Sequence, residues 1–337
     1  MKARAQYVFD RPADLEDGKR GWGDPFYPSK QTYGLTCGMN SNDRIVGGEL
    51  TTHEKHPWQV YLQIGWYQCG GSIISDKWVI TAAHCVDGSQ PMNVIVVHGI
   101  TDLPKPPHAI TKNHWSDVAS IHIHPKYDDF SNMYDVALIE MKFKLDFNNP
   151  DNGWPVCLPA TDMCLGVDEK LIVSGWGAVG EGQKTSTKLK QVTIPQVAAT
   201  DCYMRFLKMG KMITLKAMTC VGGEKGEDAC QGDSGGPLTY RDTNGVHTLV
   251  GLVSWGVGCA RDGVPGVYTR LTYMMEWIRK VSKIDNDGKD EDRFCDDRTT
   301  NLPHGGGVKG DHSQSNGNNW AEISFGPPTT KATTAWF

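Results

Sequence analysis

Between Ile45 and Leu271 the apolar residues come in short runs, and each run is closed by Gly, Pro, Asp or Asn. Trp58, Val60, Leu62 and Ile64 alternate with Gln59, Tyr61 and Gln63, and KWVITAAHC, NVIVVHGI, DVALIEM, KLIVSGWG, HTLVGLVSWG and GVYTRL follow. Runs of this length between turn formers suit strands better than helices, so the chain is expected to fold as many short antiparallel strands in an all-β barrel or sandwich. One helical pattern stands apart. Met274, Trp277, Ile278 and Val281 share one face of a helix in YMMEWIRKVSK, which is expected to pack on the barrel near the end of the body.

The flanks differ in kind. Residues 1–44 are polar, punctuated by Pro and Gly, and carry neither period, which reads as an extended leader. Residues 285–337 hold nine acidic and five basic residues and a Gly-Gly-Gly run, so most of the chain's net charge of −5 lies there. Such a stretch buries too little apolar surface to offset the entropy of ordering it, and is expected to be a disordered tail. A length of 337 residues leaves room for two domains or for one with tails.

A net negative chain offers no field to a phosphate backbone, which argues against nucleic acid as a partner. No apolar run approaches the roughly 18 residues that a membrane helix needs. The ten cysteines, at 37, 69, 85, 157, 164, 202, 220, 230, 259 and 295, show no C-x-x-C spacing and are even in number, which favours disulfides over zinc. Disulfides persist in oxidising compartments, so a secreted protein is expected, although the first thirty residues contain no signal-peptide core.

Three strings carry chemistry: TAAHC at 81–85, DVALI at 135–139 and GDSGGP at 232–237. A serine hydroxyl is a weak nucleophile until a base takes its proton and a carboxylate holds that base in the right tautomer. Ser234, His84 and Asp135 supply one of each. The glycines around Ser234 allow a turn tight enough to aim the N–H groups of Gly232 and Ser234 at one oxyanion.

With IVGG at 45–48, SGWG at 174–177, DACQGDSGGPL at 228–238, SWG at 254–256 and GVYTR at 266–270, all in order, residues 45–284 resemble the trypsin-like serine proteases of the chymotrypsin family. The resemblance implies an all-β fold of two six-stranded antiparallel barrels with a C-terminal helix. It divides the chain into a leader or propeptide region (1–44), a protease domain (45–284) and a polar tail (285–337). His84 becomes the general base, Asp135 its orienting carboxylate and Ser234 the nucleophile, with Ser254 supporting the aspartate and Gly232 and Ser234 forming the oxyanion hole. No metal or cofactor is implied. Protein or peptide substrates are, together with protein protease inhibitors. The alternative reading is an inactive protease-fold binding or adaptor protein in an extracellular cascade.

The resemblance also implies specificity and activation. Asp228 falls at the floor of the primary pocket, where a carboxylate selects a cationic side chain, and Gly256 and Gly266 fall at walls that must stay small. Ala229 stands where trypsin has a serine that helps to solvate lysine, so Arg is expected to be preferred over Lys. Trp255, Asn132 and Gln231 are expected to line neighbouring subsites. Cleavage at Arg44-Ile45, by a trypsin-like protease or by another copy, would free an ammonium on Ile45 to pair with Asp233. The family pairs Cys37 with Cys157, Cys69 with Cys85, Cys202 with Cys220, and Cys230 with Cys259. Leu171 and Tyr240 occupy the positions of a further common bridge, and Cys164 and Cys295 remain as a plausible pair, with free thiols or a bond to a partner as alternatives.

Other signals are weaker. His53-Glu-Lys-His56 is one residue short of a zinc-protease motif and reads as a polar turn. His122 and His124 share a strand face and read as an exposed polar edge. The loop GITDLPKPPHAITKN offers calcium only Asp102, and Pro265 replaces the tyrosine that accompanies sodium binding in some relatives.

Overall fold

A computed structural model describes residues 37–40, 49–104, 112–161, 163–178, 180, 182–223, 232–258 and 262–284. Arg44, Ile45, Asp228, Ala229, Cys230, Gln231, Cys259, Cys295 and the tail lie outside the described residues, as does part of the loop after Asp102.

The first sheet is a closed barrel. Its strands are β2 (Gln59–Ile64), β3 (Tyr67–Ile73), β4 (Trp78–Thr81), β5 (Val94–Val97), β6 (Trp115–Ile123) and β7 (Ala137–Met141), in the order β2-β3-β4-β7-β6-β5, with the single-turn α1 (Ala83–Val86) after β4; β1 (Glu49–Leu50) belongs to the second sheet. The remaining elements are β8 (Lys170–Gly175), β9 (Lys190–Pro195), α2 (Ala199–Lys208), β10 (Met218–Val221), β11 (Pro237–Arg241), β12 (His247–Trp255), β13 (Gly266–Arg270) and α3 (Met275–Ser282). The second sheet runs β1-β9-β8-β11-β12-β13-β10. Its outer strands approach one another where Gln196, just after β9, bridges Val221 at the end of β10. It is thus a six-stranded half-barrel with β1 added at its edge, and the fold is chymotrypsin-like.

Each apolar run quoted above forms a strand, and the two-residue period of β2 shows how the sheets come together. Trp58, Val60, Leu62 and Ile64 point into the first core. The opposite face, which alternation alone would send to water, is buried too: Gln59 is 2% exposed, its Oε1 accepts from Ser174 Oγ at 2.7 Å, and Tyr61 packs edge-on against Trp176. A strand flanked by sheets on both faces needs polar groups that find partners there.

Met274, Ile278 and Val281 pack on the first core as the helical pattern predicts, although α3 follows the last strand of the second sheet. The closing helix therefore ties the two sheets together. Helix α2 carries no such clear signal. Its N-cap is Ala198, which makes no side-chain cap, and only Cys202 and Phe206, one turn apart, are buried.

Disulfides join Cys37 to Cys157, Cys69 to Cys85 and Cys202 to Cys220. Cys164 is also disulfide-bonded, to a partner outside the described residues. Leu171 and Tyr240 are direct cross-strand neighbours between β8 and β11, so an apolar contact stands at the position where the family resemblance places a further bridge.

One histidine reading holds and one needs correction. The 53–56 segment is a turn, but His56 is 1% exposed and its Nε2 lies 2.5 Å from Gln191 Oε1; burial pushes its pKa down to about 4. His124 is no exposed edge either. It is 7% exposed and stacked on Tyr134, because the chain before β7 folds back over β6.

Candidate active site

TAAHC and DVALI meet because β4 and β7 are antiparallel neighbours, with Thr81 opposite Ala137. His84, just beyond β4, and Asp135, just before β7, consequently sit at the same end of the barrel. Asp135 is fully buried, and both its carboxylate oxygens are occupied. The His84 backbone N–H donates to Oδ1 at 2.9 Å, while His84 Nδ1 at 2.8 Å and Ser254 Oγ at 2.5 Å donate to Oδ2.

Burial opposes both charges, yet the pair prevails over it. For Asp135, desolvation pushes upward, but the His84 charge and the hydrogen bonds from His84 and Ser254 hold the carboxyl below its ordinary value. For His84, desolvation pushes downward, but the Asp135 charge and hydrogen bond lift the imidazole above its ordinary value. The bond to Asp135 places the proton on Nδ1 and leaves Nε2 able to take another.

Ser234 comes from the second sheet, in a turn in which the Gly236 N–H donates to the Asp233 carbonyl at 2.8 Å. Bonds from Gly235 N–H to the Val253 carbonyl and from Val253 N–H to the Gly236 carbonyl pin this turn to β12 beside Ser254. The Ser234 carbonyl accepts from Gly70 N–H at 2.8 Å and lies 3.5 Å from Cys85 Sγ, which in turn is 3.7 Å from His84 Nε2. The backbone of Ser234 and the imidazole of His84 thus flank one sulfur.

Glycine at 235 has a specific cause. Its φ is +75°, and a Cβ there would collide with Thr81 Oγ1 and the Gly70 carbonyl. The two sheets approach too closely for a side chain. Gly232 is likewise left-handed, at φ +94°. Asp233 is buried, its Oδ1 accepts from Gly177 N–H at 2.8 Å, and its carboxylate fills the space that a Cβ on Gly175 or Gly177 would need.

Trp255 closes β12 opposite Val267, Gly256 follows it, and Gly266 opens β13 opposite Val221. The Trp255 ring packs edge-on against Phe206 of α2 and lies under Lys211 Nζ at 5.4 Å. Asn132 is left-handed, at φ +52°, in the loop before Asp135.

Sequence reasoning missed Thr269, whose Oγ1 donates to the Asp135 carbonyl at 2.8 Å, and Thr81, whose Oγ1 donates to the Gly70 carbonyl at 2.8 Å. Both threonines lie inside the quoted strings; Asp135 is remote in the chain from Thr269, and Gly70 lies on the strand beside Thr81. Cys69, His84 and Cys85 cluster as metal ligands do, but the two sulfurs are bonded to each other and no thiolate remains to bind an ion.

The family model described as Trypsin matches residues 45–278. "Trypsin 5G1" of Aedes aegypti is 38% identical over 249 residues, which cover 73% of this chain and 88% of that protein. "Serine proteinase stubble" of Drosophila melanogaster is 35% identical across 70% of this chain, and "Protein masquerade" of the same species 33% across 77%. The matches span only 30% and 25% of those two longer proteins.

Proposed function

The chain belongs to the trypsin family of serine endopeptidases, and from that premise we propose that it is a secreted zymogen whose 45–284 domain cleaves after Arg, less readily after Lys, through an acyl-enzyme. The observation that carries this reading is the buried Asp135 carboxylate bonded twice to His84, with the Ser234 backbone against the same sulfur as the His84 ring.

Ser234 Oγ attacks the scissile carbonyl carbon while His84 Nε2 takes its proton. The oxyanion is received by the N–H groups of Gly232 and Ser234. The C–N bond breaks, and the amine leaves with the proton from His84. Water then adds to the acyl carbon, giving its proton to His84, and the ester bond breaks as His84 returns that proton to Ser234 Oγ, releasing the acid and restoring the hydroxyl. Asp135 stays ionised throughout and stabilises the imidazolium. Labelling by an active-site phosphonate tests this: protein cleaved at Arg44-Ile45 is expected to take the label, and uncleaved protein and Ser234→Ala to take none. Cleaved wild-type protein without label would favour a binding or adaptor role.

The Arg preference rests on Asp228 beside Ala229. Guanidinium meets a carboxylate directly through two parallel bonds, whereas an ammonium gains more from an added hydroxyl. On matched peptides kcat/KM for Arg is expected to exceed that for Lys by about tenfold, the effect of roughly one lost hydrogen bond to a charged group. Ala229→Ser is expected to narrow the gap; equal rates in the wild type would count against the assignment.

Activation rests on Arg44, Ile45 and Asp233. The Ile45 ammonium released by a trypsin-like activator would pair with Asp233, one residue before Ser234, and order the oxyanion hole. The Cys37–Cys157 bond implies that the leader stays attached after cleavage. Cleaved protein is therefore expected to run as one species on a non-reducing gel and as two after reduction; release of the leader without reductant would refute this two-chain form. Protein substrates and protein inhibitors are the expected partners.

A further inference from the structure

Tyr134, which immediately precedes Asp135, has φ +56°, a left-handed backbone that a bulky aromatic residue rarely adopts. The Val136 N–H donates to the Tyr134 carbonyl at 2.8 Å, closing a tight turn with Asp135 at its centre. Such a conformation persists only where its surroundings hold it in place.

The restraint comes from His124, which is buried just beyond β6. Its ring lies parallel to the Tyr134 ring, with centroids 4.8 Å apart and planes within 8°. Its backbone N–H donates to the Val136 carbonyl at 3.1 Å, so His124 grips the turn through both ring and main chain. The ring is itself oriented: Nδ1 accepts from the Lys126 N–H at 3.2 Å, and Trp277 of α3 packs at 5.0 Å. Tyr273, in the turn before α3, stands 6.0 Å from the Tyr134 ring.

We propose that His124 is a positioning residue for the protease reaction: its ring, backed by Trp277, holds Tyr134 left-handed and thereby aims the Asp135 carboxylate at His84. This rests on the triad reading above. It also gives the closing helix a part in catalysis, since α3 supports the stack from the end of the body. Burial pushes the pKa of His124 down to about 4, so the stacked ring is neutral where His84 works as a base.

The test uses full-length protein cleaved at Arg44-Ile45, with active sites counted by phosphonate. His124→Gln removes the ring together with its Nδ1 acceptor, and His124→Phe restores a ring without the acceptor, so the two variants differ in the ring stack. Per titrated site, His124→Gln is expected to lower kcat about tenfold or more with little change in KM, as a slightly misplaced catalytic group does. The acid limb of kcat/KM is expected to move to lower pH as His84 loses its partner's field, and His124→Phe to recover most of both. Tyr134→Gly, which takes the left-handed backbone without a ring, is expected to make His124→Gln nearly silent. An unmoved acid limb and kcat per site in His124→Gln, or losses that simply add in the Tyr134→Gly background, would overturn the positioning role while leaving the triad standing. Cleaved wild type that takes no phosphonate would overturn the triad reading and this role with it.

Discussion

Ser234→Ala in the cleaved protein is expected to lower kcat by about 10⁶-fold, with KM for a good peptide substrate changed far less. The hydroxyl is the only atom assigned to bond the acyl carbon, so its loss leaves only the oxyanion donors and the bound geometry, worth roughly 10³ to 10⁴ over water. His84→Ala is expected to cost about as much, because an alcohol without a base is hardly a nucleophile. The double variant should be no worse than either single, since the two groups act as a unit. Steady-state and burst kinetics on an Arg ester and a matched amide measure all three, and a Ser234→Ala enzyme within tenfold of wild type would end the acyl-enzyme assignment.

Asp135→Asn should cost about 10⁴-fold in kcat, more than a single hydrogen bond is worth, because it inverts the tautomer of His84. The carboxylate accepts from His84 Nδ1, His84 N–H and Ser254 Oγ. An amide can present an N–H to Nδ1, which moves the imidazole proton to Nε2, where the base must be empty. The pH profile carries a second signature. His84 has to be neutral to act, and Asp135 raises its pKa above the ordinary value, so wild-type kcat/KM is expected to rise with pH through a point above about 6.5. In Asp135→Asn the charge is gone and burial remains, so that limb should move down. An acid limb that stays in place would mean that another group controls it.

The same pair affects stability in two directions. His84, raised by folding, contributes stability that is complete below its unfolded pKa and lost as pH rises through its folded value. Asp135, lowered by folding, contributes stability that is present above its unfolded pKa and lost as pH falls through its folded value. Their shared contribution is therefore largest in the mildly acidic window between them. Activity is expected above that window, where the imidazole is neutral and part of the contribution has gone.

The strand runs were legible because they are short, apolar and closed by turn formers, and β2, β4, β5, β7, β8, β12 and β13 each carry their run in plain view. Helix α2 was not, since its Ala198 N-cap offers no start signal and only Cys202 and Phe206 of its ten residues are buried. His124 was misread for a related reason. A polar side chain on a strand face suggests water, but His124 is covered by a loop whose path depends on Tyr134, ten residues later. The Gln59 side chain likewise turns toward Ser174 because a second sheet lies against β2.

Local order of residues accounts for the strands, the closing helix, the Cys37, Cys69 and Cys202 pairings implied by family resemblance, and the choice of His84, Asp135 and Ser234 as the residues worth testing. These are properties of neighbouring residues and of recurring strings, and a chain carries them before it folds. The contacts that aim the candidate site are of another sort. Ser254 and Thr269 reach Asp135 from β12 and β13, and Gly70 holds the Ser234 carbonyl from β3. His124 meets Tyr134 across the end of β6. Each joins residues that come near one another only after the sheets have closed and packed, because a hydrogen bond or a ring stack acts over a few ångströms of space, whatever the distance along the chain.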